Sequence, residues 1–184
     1  MPDSPLQTRI ETNRLLLKEV TPEIHTALFT NYTDADIMAF LGLRGADDLE
    51  TERIKWQGGM TTYRTSFKQF LLCSKDTGKI IGKVGFHNWY AMHARAELGY
   101  MMTNEEEKRK GYMKEAVAPV IRFGFEEMGL NRIEAYAGIT NEASLKILRG
   151  FGFTEEGTLR DHFCYDGTMV DSICFGLLKR EYGK

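Results

Sequence analysis

Residues 100–116 read YMMTNEEEKRKGYMKEA. An apolar run ends near Met102, an acidic turn follows, and Lys108-Arg109-Lys110-Gly111 leads into a helical segment. The first turn of a helix presents unpaired N–H groups and the positive end of the macrodipole, so an anion binds well there. Gly111 lets the main chain approach a ligand closely, and three basic side chains add charge. The pattern suits a pyrophosphate. The competing reading is a solvated basic turn that balances Glu105, Glu106 and Glu107, and this stretch alone does not choose. Neither the Walker phosphate loop nor the glycine-rich dinucleotide fingerprint is present.

The flanks make this strand–turn–helix unit part of an α/β (α+β) chain. Residues 95–102 (RAELGYMM) predict a strand, preceded by a hairpin of residues 70–73 and 80–86 around Asp76-Thr77-Gly78. Gly82 and Gly85 inside that hairpin mark a bulge or a close backbone approach. Three successive strands predict a meander. Residues 14–20 (RLLLKEV) predict a first strand after a loose lead-in over residues 1–11. Thr21 then caps a helix with Pro22 at its first position and Ile24, Leu28 and Phe29 inside. A second helix is expected over residues 49–65, after Asp47-Asp48. Beyond the opening stretch, residues 114–128 predict a helix stopped by Gly129, 132–137 a strand, and 141–150 a short helix. A last hairpin of residues 163–165 and 170–178 turns at Asp166-Gly167. No linker or repeat divides residues 1–184, so one domain is expected.

Composition narrows the function. The 184 residues carry 24 Lys+Arg against 26 Asp+Glu, a net charge of −2. Nucleic-acid binders carry a positive excess that neutralises phosphates, so no nucleic-acid partner is expected. Cys73, Cys164 and Cys174 show no C-x-x-C pairing, lie in strand-like runs read as core, and fit a reducing compartment. No stretch approaches the ~20 apolar residues of a membrane helix, and the first residues lack a signal-peptide pattern. No membrane partner and a cytoplasmic location are therefore expected. His25, His87, His93 and His162 are scattered without metal-ligand spacing, so no metal is expected.

Four pieces in order, AELGYMM, KRKGYMKEA, NEASLKILRGFGFTEEGTLR and DGTMVDSICFGLLK, resemble the GNAT acyltransferase superfamily, in its ribosomal-protein N-terminal-acetyltransferase-like (RimJ/RimL-like) branch. The segments ETNRLLLKEV and IIGKVGFHN match the family's opening as well. The resemblance implies a single domain with a mixed, mostly antiparallel twisted sheet of about seven strands. It also implies a splay between the two central parallel strands, about four flanking helices, and an acetyl-CoA-dependent enzyme. In the family, the loop matching Lys108, Arg109, Lys110, Gly111, Tyr112 and Met113 wraps the cofactor pyrophosphate. The strand end matching Met101, Met102 and Thr103 pairs with the pantetheine arm, and Asn141 matches a further cofactor contact. The thioester then lies in the splay between residues 98–102 and 132–137. Departures are Lys108, where the family has Gln or Arg, Met113, where small residues are frequent, and Pro119 inside a helix.

Attack of an amine on a thioester needs a deprotonated amine, a polarised carbonyl and a proton for the leaving thiolate. The family's usual acid, a Tyr seven residues after the asparagine, is replaced by Leu148. Ser144 shares the inward stripe of Ile147, Leu148 and Phe151, and its hydroxyl is either an acid at the sulfur or bonded to its own helix. Glu97 is the candidate base, or else a strand carboxylate paired with Arg95 or Arg132. Another acidic position used as base by some relatives holds Phe163. His87, His162, Trp89, Tyr90 and Phe163 either line an acceptor cleft or pack on the sheet. The expected activity is acetyl transfer to a primary amine, on a protein N-terminus or a small molecule. The alternative is a CoA-binding sensor or partner-binding module without turnover. Many relatives dimerise, which leaves a homodimer open.

Overall fold

The computed structural model describes residues 8–59 and 66–183. Two strands, β1 (Arg9–Glu11) and β2 (Leu15–Val20), precede three helices, α1 (Pro22–Asn31), α2 (Asp34–Leu41) and α3 (Ala46–Gln57). The meander β3 (Ser66–Ser74), β4 (Ile80–Tyr90) and β5 (Arg95–Met102) follows. Then come α4 (Tyr112–Glu126), β6 (Arg132–Gly138), α5 (Glu142–Gly150) and the hairpin β7 (Thr154–Tyr165) and β8 (Thr168–Leu178). The strands form one sheet in the order β1-β2-β3-β4-β5-β6-β8-β7, antiparallel except at β5–β6.

Two elements exceed the expected count. The short edge strand β1 pairs with β2 inside the stretch read as a loose lead-in. Helix α2 is set by a capping box, in which Thr33 Oγ accepts from the Asp36 amide and the Asp36 carboxylate accepts from the Thr33 amide. The second predicted helix corresponds to α3, which starts earlier, at Ala46, and ends at Gln57. Residues 60–65 of that prediction lie outside the described residues. Strand β7 begins at Thr154, well before the predicted residue 163, because its residues are exposed throughout and leave no apolar alternation to read.

The two faces of the sheet carry separate cores. Side chains alternate along a strand, so Phe70 and Leu72 face α4 and α5 while Leu71 faces α1–α3. On α1, Leu28 and Phe29 are buried as expected, and His25 joins them at 3% exposure while Ile24 is only partly covered. Helix α4 buries Met113, Ala116, Val117, Val120, Ile121, Gly124 and Phe125 along one stripe and runs unbroken through Pro119. Gly124 is needed there, since a Cβ would sit 2.6 Å from Phe86 Cζ. Close approach also explains Gly85, whose Cβ would lie 2.4 Å from the Lys68 carbonyl oxygen.

The central parallel pair is short. Arg95, Ala96 and Glu97 pair with Arg132, Ile133 and Glu134, and there the ladder stops. The rest of β5 stays bonded to β4, and the rest of β6 to β8. This is the expected splay. Among the described residues, no helix is long and apolar enough to cross a membrane.

Candidate active site

The loop ahead of α4 lies beside the splayed end of β5. Gly111 caps α4 at φ 80°, a left-handed conformation that suits glycine, and no side chain caps the helix. The first intrahelical bond here runs from the Glu115 amide to Gly111, so the Tyr112, Met113 and Lys114 amides have no intrahelical acceptor. The basic turn is balanced in part by its acidic neighbours. Lys108 pairs with Glu105, and Lys110 Nζ lies 3.1 Å from Glu107 Oε2. Arg109, also left-handed at φ 62°, makes no ion pair among the described residues. Exposed pairs of this kind contribute about 0–1 kcal/mol, so an anionic ligand can displace them at small cost. The Met113 side chain is buried in the core, leaving its amide as the group offered to a ligand.

The loop is held from below by residues the sequence did not single out. The Glu115 carboxylate accepts from Thr12 Oγ at 2.6 Å, the Arg14 amide at 2.8 Å and Arg14 Nε at 2.7 Å. Arg14 Nη1 donates to the Lys110 carbonyl at 3.0 Å, and its guanidinium lies 4.4 Å from the Tyr112 ring centre. Burial works to raise the Glu115 carboxyl, but the Thr12 and Arg14 bonds outweigh it and hold it below the usual value. The entrance of β2 thus fixes the first turn of α4.

On the splayed strand, Met101 is 48% exposed, and the Thr103 amide bonds to the Ile81 carbonyl. Two hydroxyls here, Tyr100 Oη and Thr103 Oγ1, are buried without a hydrogen-bond partner. Buried hydroxyls are usually bonded, so an orphaned pair beside an open strand marks room for a polar ligand. Asn141 caps α5 by accepting from the Ser144 amide at 3.2 Å and lines the adjoining cleft. No hydrogen bond from the Ser144 hydroxyl to its own helix is found among the described residues, and the Ser144 amide is the group that Asn141 holds.

Glu97 has neither of the partners the sequence offered. Arg95 and Arg132 both turn to Glu134, at 2.7 and 2.8 Å, and Arg132 also binds Glu156. Glu97 Oε1 instead lies 2.9 Å from His87 Nε2, and Oε2 accepts from Asn88 Nδ2 at 2.9 Å. His87 and Glu97 are direct cross-strand partners in the β4–β5 register. Gly99 makes room for the imidazole, since a Cβ there would be 2.6 Å from His87 Cε1. Burial works to raise the Glu97 carboxyl, but His87 and Asn88 outweigh it and hold it below the usual range. Glu97 is therefore an anion at neutral pH, in contact with the His87 imidazole.

A cleft of about 1150 Å³ opens beside Glu97, with His87 outside its lining. Glu97, Glu134, Asp171, Tyr90, Tyr136, His162, Phe163 and Tyr165 line it. Phe163 and Tyr165 stand on the hairpin at 60% and 72% exposure. Trp89 packs partly on the core instead. One cysteine reading needs correction: Cys164 is exposed on β7, whereas Cys73 is buried. Among the described residues, no group of His, Cys, Asp or Glu is arranged to hold a metal ion.

Against known proteins, the model of the acetyltransferase (GNAT) domain matches residues 14–154. The chain is 31% identical over 171 residues to the Bacillus subtilis N-acetyltransferase YoaA, covering 92% of this chain and 96% of that one. It is 30% identical over 129 residues to the Escherichia coli ribosomal protein uS5-alanine N-acetyltransferase, covering 66% of each. A dodecameric spermidine N-acetyltransferase structure from Vibrio cholerae superposes with a TM-score of 0.68 at 17% identity, over 94% of this chain and 98% of that one. At that identity the superposition speaks for the fold alone.

Proposed function

Because the chain belongs to the GNAT acetyltransferase family and is an N-acetyltransferase, we propose that it draws its acetyl group from acetyl-CoA and passes it directly to a primary amine. The observation that carries this reading is the parting of β5 from β6 after Glu97 and Glu134, beside the uncapped start of α4. The residues present fit the carrier. The Tyr112, Met113 and Lys114 amides, with Lys108, Arg109 and Lys110, suit its diphosphate, and the edge of Met101 and Met102, beyond the last β5–β6 rung, suits its pantetheine arm. Asn141 stands where the arm would reach the cleft. Bound acetyl-CoA would supply an activated thioester.

This chain's own groups then have distinct tasks. The His87–Glu97 pair takes the proton that the attacking amine sheds, with Glu97 orienting the imidazole. The β5 backbone beyond the last β5–β6 rung is where an N–H group would polarise the carbonyl. The Ser144 hydroxyl, in the first turn of α5, is the proton donor we assign to the leaving sulfur. Carboxylates and aromatic walls in the acceptor cleft favour a cationic amine, and its volume exceeds the roughly 300–1,000 Å³ usual for small-molecule pockets. We therefore favour a protein N-terminus over a small polyamine. The activity named for the Escherichia coli relative agrees with that preference. Turnover also sets this reading apart from a CoA-binding sensor.

Release of free thiol from acetyl-CoA, followed with peptides, N-blocked peptides and polyamines, tests the proposal. Release with free-N-terminus peptides and none with blocked ones is the expected result. Preference for a polyamine would overturn the acceptor assignment, and no release with any amine would overturn the activity.

A further inference from the structure

We propose that His162 is a second proton acceptor of the acceptor cleft, taking from an entering ammonium the proton it must lose before it can attack. The inference rests on the acetyl-transfer reading above and adds a step ahead of it. Carboxylates in the cleft favour a cation, so they also hold the acceptor in its protonated, unreactive form. An α-amino group titrates at about 7.7–8.0, so at pH 7 only about one acceptor in ten is a free amine. A base within the cleft makes the other nine usable. Glu97 is engaged by His87 and Asn88, and Glu134 by Arg95 and Arg132. Tyrosines ordinarily titrate too high to serve as bases at neutral pH. Among the described lining residues, the imidazole is that of His162, and imidazole is the side chain that exchanges protons in the neutral range.

Local backbone geometry aims this side chain. Leu159 pairs with Ser172 and Phe163 with Val170, so Arg160, Asp161 and His162 all stand opposite Asp171. Such a bulge breaks the alternation of the strand and redirects its side chains. Asp161 adopts φ 48°, a left-handed conformation uncommon outside glycine, and its amide donates to Asp171 Oδ1 at 2.9 Å. That bond holds the bulge. The His162 ring lies 5.0 Å from the Tyr136 ring, centre to centre, and both line the cleft. His162 is exposed and makes no hydrogen bond or ion pair among the described residues, so its ring is open to the amine and to water. The charged and titratable groups sharing the cleft with it are Arg95 and Glu97 from β5, Glu134 and Tyr136 from β6, and Asp171 from β8.

The ammonium gives one proton to the neutral His162 imidazole, which passes it to solvent. The amine lone pair then bonds the acetyl carbon, and the carbon–sulfur bond breaks with its electron pair going to sulfur. The second proton of the nitrogen goes to the His87–Glu97 pair and on to solvent. Sulfur takes a proton from Ser144, which is restored from solvent, so each amide formed releases one proton overall. His162 touches the amine and is catalytic, whereas Asp171 acts through the bulge and is a positioning residue.

Thiol release from acetyl-CoA with a free-N-terminus peptide, measured at pH 7 and pH 9, tests the assignment. His162→Gln should lower kcat/KM for the peptide about tenfold at pH 7. At pH 9 the loss should be less than about twofold, because the acceptor is already a free amine. The acetyl-CoA Kd by calorimetry should stay within about twofold. Asp171→Ala releases the bulge and should show the same pH-dependent loss. Asp171→Asn can still accept the Asp161 amide, so its ratio of kcat/KM between the two pH values should stay within about twofold of wild type. A His162→Gln loss equal at both pH values marks a structural role and overturns the assignment, as does no loss at pH 7. An Asp171→Asn ratio that follows Asp171→Ala overturns the positioning role. If wild-type protein binds acetyl-CoA yet acetylates no amine, the activity itself is wrong and this inference falls with it. Wild-type turnover with an unaffected His162→Gln overturns the His162 role alone.

Discussion

Glu97 shows how one carboxylate takes its role from its neighbours. Arg95 or Arg132 would be its partner if it were a paired strand carboxylate, but Glu134 holds both, and the cross-strand register delivers His87 instead. Glu97→Gln should lower kcat/KM by about 100-fold near neutral pH, and His87→Ala by a similar factor, because each removes half of the proposed proton acceptor. Glu97 is held below its unfolded value, so its pairing stabilises the fold above about pH 4 and the benefit is lost as the pH falls through the folded value. The melting-temperature gap between wild type and Glu97→Gln should therefore narrow on acidification. A gap that widens toward low pH would contradict this electrostatic account. The residue type at position 97 was legible in the sequence, and so was its place on a strand. Its partner was not, because it depends on which residues of two strands face each other across the Asn88 irregularity.

At the scale of elements, the joint between β2 and α4 governs the proposed phosphate site. Arg14 contacts Glu115, Lys110 and Tyr112 at once, while Thr12 closes the cluster. Arg14→Ala should raise the acetyl-CoA KM about tenfold while leaving kcat near wild type, since the loop loses its support but the proton-transfer groups keep theirs. Steady-state kinetics with varied acetyl-CoA checks this, and a fall in kcat at unchanged KM would contradict it. The helix itself was easy to read, because its buried residues recur at helical spacing and Gly111 and Gly129 bracket it. The clamp was hidden, since its members lie about a hundred positions apart. Helix α2 did carry a local signal, Thr33 and Asp36 at capping-box spacing, whereas β7 offered none because all its residues face solvent.

Across the whole molecule, one sheet presents two cores and a single break. The order of motifs in the sequence foretold the meander, the parallel pair and the closing hairpin, and the family model spanning residues 14–154 agrees. What the sequence left open is the acceptor side, built from long-range neighbours such as Tyr90, Asp171 and Tyr165. The central claim is that the carrier occupies the break between β5 and β6, with its diphosphate on the first amides of α4. Amide hydrogen exchange of the full chain with and without acetyl-CoA tests that claim most directly. Slowed exchange concentrated in residues 98–103 and 110–114 is the result expected. Binding that leaves both segments unchanged, or protects a different face of the sheet, would contradict it.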